Sequence, residues 1–307
     1  MNWLSILRIA GRALQRNRLR SLLTMLGIII GVGAVIAMVA IGQGANAAVQ
    51  ARIASMGTNV LAIWPGSTTS GGVRVGHGSI QTLSLADAWA IQREVPTVAA
   101  VAPSRRGTAQ VIYGNQNWAT VVLGTYPEYQ IVRDWPVQAG QFFTQQEVGG
   151  AAKVVVLGQT VADNLFGGED PIGKIVRIKN IPFKVVGVLA PKGQSGWGQD
   201  QDDTVLIPFT TAERQVLGTQ FLGTVGSIMV TAVSNEAVRE AQEQITALLR
   251  QRHRLAPDQE NDFLVRNFAD VAATAEETAG VMTLLLAAIA SVSLIVGGIG
   301  IMNIMLV

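Results

Sequence analysis

A run of residues without a charged side chain, from Ser21 to Ala45, constrains the fold of this chain more than any other feature. Its central part, Leu22 to Ile41, consists almost entirely of apolar residues. The hydrocarbon core of a bilayer is about 30 Å thick, and a helix needs about 20 apolar residues to cross it. The run therefore predicts a transmembrane helix, which we place at residues 22–42.

Two other interpretations of this run remain open at the level of sequence. The tripeptide Ala45-Asn46-Ala47 has the small-x-small pattern at which signal peptides are cleaved. The run is nevertheless longer than the apolar region of a signal peptide, which has about 7–15 residues. A buried helix of a soluble protein would leave the basic residues that precede the run without an explanation.

Residues 1–21 carry positive charges and no acidic side chain. The basic residues are Arg8, Arg12, Arg16, Arg18 and Arg20. Lys and Arg are retained on the cytoplasmic side of a membrane, so we expect a cytoplasmic N-terminus in a bacterial inner membrane. Residues 46–280 are then extracytoplasmic. The spacing of apolar and basic residues in 1–21 also predicts an amphipathic helix at the surface of the membrane lipid.

The end of the chain, residues 281–307, is again free of charge and predicts a second transmembrane helix. No basic residue follows it, although a segment that enters the cytoplasm usually acquires one. We therefore expect the 307 residues to be a piece of a longer protein. Small residues in both segments predict close helix packing. These residues are Gly27, Gly31, Gly33, Ser293 and Gly297.

The residues between the two segments predict an α+β domain without disulfides, since the chain has no cysteine. Stalk helices are predicted at 43–57 and 269–280. Strands are predicted at 59–64, 98–102, 109–113, 118–123, 154–157, 174–179, 183–189, 204–207, 227–232 and 263–267. Helices are predicted at 85–94, after the capping residue Ser84, at 160–166 and at 235–254.

The sequence contains none of the common catalytic motifs. No lysine is followed by Ser or Thr, so the chain has no P-loop, and it has neither H-E-x-x-H nor G-x-S-x-G. We expect no enzymatic activity and no resident cofactor. The two histidines, His77 and His253, are expected to be solvated. Removing the five N-terminal arginines from the net charge of +2 leaves −3 for the rest, which does not favour binding to nucleic acid.

One acidic stretch is a candidate contact loop on the outer domain. It contains Gly198, Asp200, Asp202 and Asp203. Carboxylate oxygens are preferred by Ca²⁺, but the stretch does not match the EF-hand pattern. An exposed acidic turn with a structural role, or with a contact to a partner in the periplasm, is therefore the better interpretation, and no metal site is predicted.

Short motifs along almost the whole chain resemble those of MacB/FtsX-type ABC transporter permeases. They are Asn17–Thr24, Gly27–Val32, Ala40–Gly42, Val155–Gly158, Leu165–Gly168, Asp170–Gly173, Val185–Leu189, Gly198–Asp203 and Gly297–Val307. No single motif is decisive, but their order and spacing agree with the family pattern.

The resemblance implies a homodimeric permease with four transmembrane helices, of which this sequence contains two. It implies a porter-like α/β lobe at 58–115 and 218–268, with a β-rich lobe at 116–217 inserted into it. It also implies an ATPase that binds ATP and magnesium on a separate cytoplasmic chain, a periplasmic adaptor (a membrane fusion protein) and an outer-membrane channel. ATP binding would close the dimer, and the stalks would transmit the motion to the periplasm.

Several functions fit this organisation. The leading hypothesis is the permease of an efflux pump that exports periplasmic substrates. A lipoprotein-releasing permease of the same superfamily is the nearest alternative. A receptor with two transmembrane helices and an outer sensor domain has the same order of segments, and a membrane-anchored periplasmic enzyme is weakened by the lack of a catalytic group.

Overall fold

The computed structural model describes residues 59–66, 68–70, 73–75, 81–195, 198–218 and 221–267, together with separate helical residues between 26 and 44 and between 274 and 302. The chain divides into two units. The first unit consists of Met1–Ala51 and Ala272–Val307, and the second of Arg52–Val271.

The described residues of the first unit are helical. Within them, no helix combines the length and the hydropathy that are needed to cross a bilayer. The two transmembrane helices and the cytoplasmic N-terminus therefore stay predictions. Several residues predicted to act in this unit lie outside the described part of the chain: Arg8, Arg12, Arg16, Arg18, Arg20, Gly27, Gly31, Ser293 and Gly297.

A close helix contact in the first unit occurs at Gly42. A Cβ atom on Gly42 would lie 3.2 Å from Oγ1 of Thr283, which belongs to the second apolar segment. Gly33 is also helical, and the position of its missing Cβ has no heavy atom within 4 Å. Because Gly42 has no Cβ atom, the two apolar segments can approach each other at this residue.

The second unit contains twelve described strands. They are β1 (Val60–Pro65), β2 (Thr68–Ser70), β3 (Val73–Val75), β4 (Val98–Tyr113), β5 (Gln116–Thr125), β6 (Val137–Gly140), β7 (Val154–Leu157), β8 (Ile175–Ile178), β9 (Ile181–Leu189), β10 (Thr204–Pro208), β11 (Ser227–Ala232) and β12 (Phe263–Asn267). Strands β2 and β3 form a separate hairpin, and the other ten strands form one sheet. This sheet is mostly antiparallel, with parallel pairs at β5–β10 and β7–β9.

The described helices of this unit are α1 (Leu85–Glu94), α2 (Glu128–Val132), α3 (Gln145–Gly149), α4 (Gln159–Phe166), the short α5 (Phe209–Thr211) and α6 (Val238–Arg252). A π-helical turn, Ala212–Val216, follows α5. Helix α1 begins with a capping box in which Ser84 accepts from the amide of Asp87 and the Asp87 carboxylate accepts from the amide of Ser84. Helix α4 ends at Gly167, whose φ of 58° is easily adopted by glycine.

Strand β4 is longer than the sequence indicates. Two strands are predicted at 98–102 and 109–113, but a single strand runs through both. Its first part pairs with β11 and its second part with β5, so partner strands on both sides keep it extended through Pro103 and Gly107. The prediction of a break was therefore wrong.

Two hydrophobic cores lie on the elements of this sheet. The first core joins the buried faces of α1 and α6 to β1 and β11, and it also includes Tyr126, Phe143 and Phe209. The second core packs α4 against β5, β7, β9 and β10. The α+β class is confirmed for the outer domain, while the lobe boundaries at 115/116 and 217/218 stay predictions.

Candidate docking site

The acidic stretch predicted as a contact loop forms bonds within its own domain. Asp202 is buried, and its carboxylate accepts hydrogen bonds from the amides of Lys192 and Gly193, both at 2.8 Å. Asp203 accepts from the indole nitrogen of Trp118 at 2.8 Å. These two carboxylates therefore stabilise the fold, and neither is exposed enough to be a main contact with a partner protein.

Asp200 and Gly198 form the exposed part of the same stretch. The Asp200 carboxylate accepts from the hydroxyl of Thr160 at 2.6 Å and from the amide of Asp202 at 2.9 Å. Gly198 has a φ of 76°, which fits a turn. Within the described residues no group of His, Asp or Glu side chains is arranged to hold a metal ion.

Next to this loop lies a half-buried lysine. The ammonium of Lys192 lies 5.7 Å from the centre of the Trp135 ring and donates to the carbonyl of Arg133. Burial, followed by the positive charge of Arg133, lowers the pKa of Lys192 to about 8. The Asp202 carboxylate accepts from the amide of this lysine, which fixes the backbone beneath the cation.

A second polar cluster connects α1, the end of α6 and the start of β12. The Nδ1 atom of His253 lies 2.7 Å from Oδ1 of Asp262, and the Nε2 atom lies 3.4 Å from Oδ2 of Asp87. Arg252 donates from Nε to the other Asp87 oxygen at 2.7 Å. Only 9% of the His253 side chain is exposed, so the expectation of a solvated histidine was wrong.

The charges in this cluster stabilise each other. Hydrogen bonds to Asp87 and Asp262 raise the pKa of His253, although burial opposes the shift. The pKa of Asp87 is held below its ordinary value of 3.8: burial is the largest influence and raises it, but the hydrogen bonds from His253, Ser84 and Arg252 together outweigh burial. The cluster therefore favours a protonated histidine between two carboxylates.

A buried arginine, Arg105, lies in the middle of β4. Its Nη1 atom donates to the carbonyl of Gly218 at 2.7 Å, and its Nη2 atom donates to the carbonyl of Thr224 at 2.9 Å and to Oε1 of Gln81 at 3.0 Å. Burial lowers the pKa of Arg105, and the charge of buried Glu213 opposes this change. One guanidinium thus bonds to the backbone of both Gly218 and Thr224.

Further bonds hold the described residues 221–224, which we call the 221–224 loop. The carboxylate of Glu213 accepts from the amide of Gly223 at 2.6 Å. The carbonyl of Gly223 accepts from the amide of Leu85 at 2.7 Å, which attaches the loop to the first turn of α1. Gly218 and Gly223 have φ values of 68° and 80°, in the left-handed region that favours glycine.

The 221–224 loop presents two large apolar side chains to solvent. Phe221 and Leu222 are each 71% exposed. They lie before the first residue of β11, because Gly226 donates to the carbonyl of Ser104 and Ser104 pairs with Ser227. Strand β4 continues past this point to Tyr113 beside β5. We call this the distal end of β1, β11 and β12.

The register of the sheet defines the opposite end. Leu61 pairs with Asn267, and Val60 pairs with Thr231, so the chain enters β1 and leaves β12 at the same end of the sheet. Pro65 pairs with Phe263 at the other end, the distal one. The exposed apolar pair is therefore remote from the two strand ends that continue towards the apolar segments of the chain.

A family model described as the MacB-like periplasmic core domain matches residues 21–248. The chain belongs to this family. The prediction made from the sequence motifs is thereby confirmed. The match covers both the first apolar segment and most of the second unit. The similarity to the family therefore extends over the apolar segment and the domain, and is not limited to one motif.

Relatives of known name extend the comparison. The chain is 43% identical to the macrolide export ATP-binding/permease protein MacB of Syntrophobacter fumaroxidans, over 96% of this chain and 48% of the relative. It is 44% identical to the protein of the same name from Azoarcus sp., over 98% of this chain and 44% of the relative. The chain thus spans about half the length of the curated relatives it matches.

A solved structure agrees with the fold. The crystal structure of the periplasmic region of MacB from Actinobacillus actinomycetemcomitans superimposes with a TM-score of 0.59 and 26% sequence identity. The comparison covers 73% of this chain and 95% of that one. The second unit is therefore a MacB-like periplasmic domain.

The site residues that sequence reasoning missed are Arg105, Glu213, His253, Phe221 and Leu222. The sequence did contain a signal for the burial of His253. Val238, Ala241, Ile245 and Leu249 form the buried face of α6, and His253 is the next residue on that face at helical spacing. No comparable signal marks Arg105, since the atoms that bind it come from distant parts of the chain.

Proposed function

We propose that this chain is the permease subunit of an ABC transporter that drives the export of periplasmic substrates. The observation that carries the proposal is the family match over residues 21–248, supported by relatives of 43–44% identity across nearly the whole chain. The names of those relatives describe macrolide export. An exporter permease also agrees with a large domain flanked by two uncharged segments.

The proposal assigns ATP and magnesium to a P-loop ATPase outside these 307 residues, as the relatives named ATP-binding/permease proteins extend well beyond the region that they share with this chain. The 307 residues contain no lysine followed by Ser or Thr, which the P-loop requires for contacts to phosphate and to magnesium. ATP binding on this ATPase would close a homodimer of this chain. The predicted stalks at 43–57 and 269–280 would then carry the motion to the outer domain, where a periplasmic adaptor and an outer-membrane channel complete the pathway.

Release of lipoproteins from the membrane is the second candidate function. It uses the same kind of permease, and the domain described here supports it almost as well. A receptor with two transmembrane helices is less well supported, since the family match extends into the first apolar segment.

Mass spectrometry of the native protein, gently purified from its own membranes, tests this proposal. We expect a chain with two further transmembrane helices, and a P-loop ATPase that either belongs to the same chain or copurifies with it. A copurifying periplasmic adaptor would favour efflux, and a copurifying lipoprotein carrier would favour lipoprotein release. A chain that continues into a kinase or another signalling module, without an ATPase, would contradict the proposal.

A further inference from the structure

We propose that one side of a small β-barrel in the outer domain is a basic docking surface for an acidic face of the periplasmic adaptor. This surface, which we call the basic strip, consists of Arg106 on β4, Arg177 on β8 and Lys184 on β9, together with the neighbouring Gln110 and Ile175. The inference rests on the proposed function, because it requires that the chain work with an adaptor.

Six strands of the sheet close into this barrel. Strand β4 pairs with β5, β5 with β10, β10 with β7, β7 with β9, β9 with β8, and β8 again with β4. The second hydrophobic core contains buried side chains from all six strands, among them Val111, Val176 and Phe183. Because successive side chains of a strand point to opposite faces, the residues that alternate with this core lie on the outside of the barrel.

The register places the basic strip on one outer face. Ile112, six residues after Arg106 on β4, pairs with Arg177. Ile175, two residues before Arg177 on β8, pairs with Lys184. Paired residues of neighbouring strands share a face, and so do residues separated by two positions on one strand. The three cations therefore lie on the same side of the barrel, and all three are exposed.

The strands of the basic strip carry positive charge without any acidic residue. Strands β4, β5, β8 and β9 contain no Asp or Glu. Within the described part of the chain, the cations of the basic strip form no ion pair, whereas Glu169 in the loop before β8 is paired with Lys174. The rest of the chain beyond the N-terminal arginines has a net charge of −3, so this positive face opposes the general balance. Such a face attracts a partner of negative charge.

The spacing of the cations favours a protein surface over a small anion. Arg177 lies opposite Ile112, six residues from Arg106 along β4. At about 3.3 Å per residue the basic strip is about 20 Å long, so a single phosphate or carboxylate cannot contact both ends. Ile175, which is 62% exposed, adds an apolar contact and the exposed amide of Gln110 adds hydrogen-bonding groups. This mixture is typical of interfaces between proteins.

The adaptor is the partner that this chemistry fits within the proposed function. The ATPase belongs to the cytoplasm, and the channel belongs to the outer membrane. An adaptor surface with several carboxylates spaced along it would match the positive charges of the basic strip. Electrostatic complementarity of this kind guides association and fixes the register of the two proteins.

Binding of the full-length protein to the adaptor that copurifies with it tests the inference. The triple variant R106Q/R177Q/K184Q should bind this adaptor about tenfold more weakly than the unchanged protein. Its melting temperature should stay the same, because all three side chains are exposed. The variant R106K/R177K/K184R keeps the charges and should bind like the unchanged protein.

A second triple variant controls for the loss of charge as such. R239Q/R254Q/R266Q also removes three exposed cations, but from α6, the turn after it and β12. It should leave the affinity for the adaptor unchanged. If it weakens binding as much as the first triple variant does, the inference is overturned.

The dependence on salt gives an independent measure of the charge contribution. The affinity of the unchanged protein should fall by about tenfold when NaCl is raised from about 50 to about 500 mM, because salt screens exposed charges. The affinity of R106Q/R177Q/K184Q should change much less. An equal loss of affinity in both proteins would contradict the role of the basic strip.

Photocrosslinking identifies what contacts the strip in membranes. Q110C would carry a photoreactive label on the barrel, and I131C is the control, since Ile131 is 69% exposed on α2. We expect Q110C to crosslink mainly to the adaptor and I131C to do so far less. Crosslinking of Q110C mainly to lipid or to a second copy of this chain would overturn the inference.

The outcomes separate this inference from the proposed function. If R106Q/R177Q/K184Q binds the adaptor as tightly as the unchanged protein does, only the inference fails. If no adaptor copurifies with the unchanged protein or binds to it, both the inference and the adaptor in the proposed function fail.

Discussion

His253, at the end of α6, lies between the carboxylates of Asp87 in α1 and Asp262 before β12, with its Nε2 atom 3.4 Å from Asp87 and its Nδ1 atom 2.7 Å from Asp262. This contact joins residues that are 166 positions apart in the chain. Asp87 also caps the first turn of α1, in which the amide of Leu85 donates to the carbonyl of Gly223. A series of contacts therefore leads from His253 through Asp87 and the first turn of α1 to Gly223, which follows Phe221 and Leu222 in the sequence.

The stability of the outer domain should depend on pH through His253. Its pKa in the folded protein is raised above the ordinary 6.5, so the stabilisation is complete below about pH 6.5 and is lost as the pH rises through the folded value. Asp87 has a depressed pKa, so its contribution is lost only at acidic pH, below 3.8. Urea unfolding followed between pH 5 and 9 should show a decreasing free energy of unfolding.

The variant H253Q is the control for this prediction. It keeps a polar side chain but cannot become charged, and it should be less stable than the unchanged protein at pH 6. Its free energy of unfolding should also vary less between pH 6 and 9. An unchanged pH dependence in H253Q would show that another group is responsible.

Substitution of the buried arginine should destabilise the domain strongly. R105M removes the donors to the carbonyls of Gly218 and Thr224 and leaves buried Glu213 without its neighbouring positive charge. Removing one member of such a buried arrangement costs about 3–5 kcal/mol. The free energy of unfolding in urea measures the effect.

The neighbouring variant R106M is matched to R105M, because Arg106 is exposed on the same strand. It should change the stability by no more than about 0.5 kcal/mol. Adding E213Q to R105M should cost less than the sum of the two single changes, since the carboxylate has already lost its neighbouring charge. Equal effects of R105M and R106M would contradict the role given to Arg105.

Elements with local signals could be predicted from the sequence. Helix α1 was predicted at its observed bounds from the capping residue Ser84, and the structure adds Asp87, which completes a capping box. Strand β12 was also predicted at its observed bounds, and its first three residues, Phe263 to Val265, are apolar. Both elements carry a local sequence signal, so their type and position could be predicted even though β12 pairs with the distant strand β1.

Features that depend on distant residues could not be predicted in this way. Strand β4 passes through Arg105, a residue that looks like the edge of a loop until Gly218 and Thr224, more than 100 positions away, surround it. The short helices α2 and α3 have five residues each, too few to show a periodic pattern. The burial of His253 likewise requires carboxylates from two other segments.

Gly158 should not tolerate a side chain. A Cβ atom there would lie 2.2 Å from the carbonyl oxygen of Asp202 and 2.9 Å from that of Thr204. G158A should therefore displace the backbone of the acidic stretch and destabilise the domain by about 1–3 kcal/mol, as overpacking does. Thermal unfolding measures the change. G149A is the control, because no heavy atom lies within 4 Å of the corresponding position and its melting temperature should not decrease.

The contact between Gly42 and Thr283 predicts that a bulky residue at position 42 will separate the two apolar segments. G42L places its Cβ 3.2 Å from Oγ1 of Thr283, and the rest of the leucine has to push the helices apart. The melting temperature of the detergent-purified protein should fall, and ATP hydrolysis by the assembled complex should decrease. G44L, at a position with no heavy atom within 4 Å, should leave both quantities nearly unchanged.

The glycine pair Gly27 and Gly31 allows a separate test of helix packing in the predicted first transmembrane helix. Its spacing matches the small-xxx-small pattern through which membrane helices approach closely. The double variant G27L/G31L should insert into the membrane normally, because leucine is more apolar than glycine, but should impair packing and activity. Export by cells that carry the complete transporter, measured at equal membrane content, checks this. Full activity in the double variant would contradict a packing role for the pair.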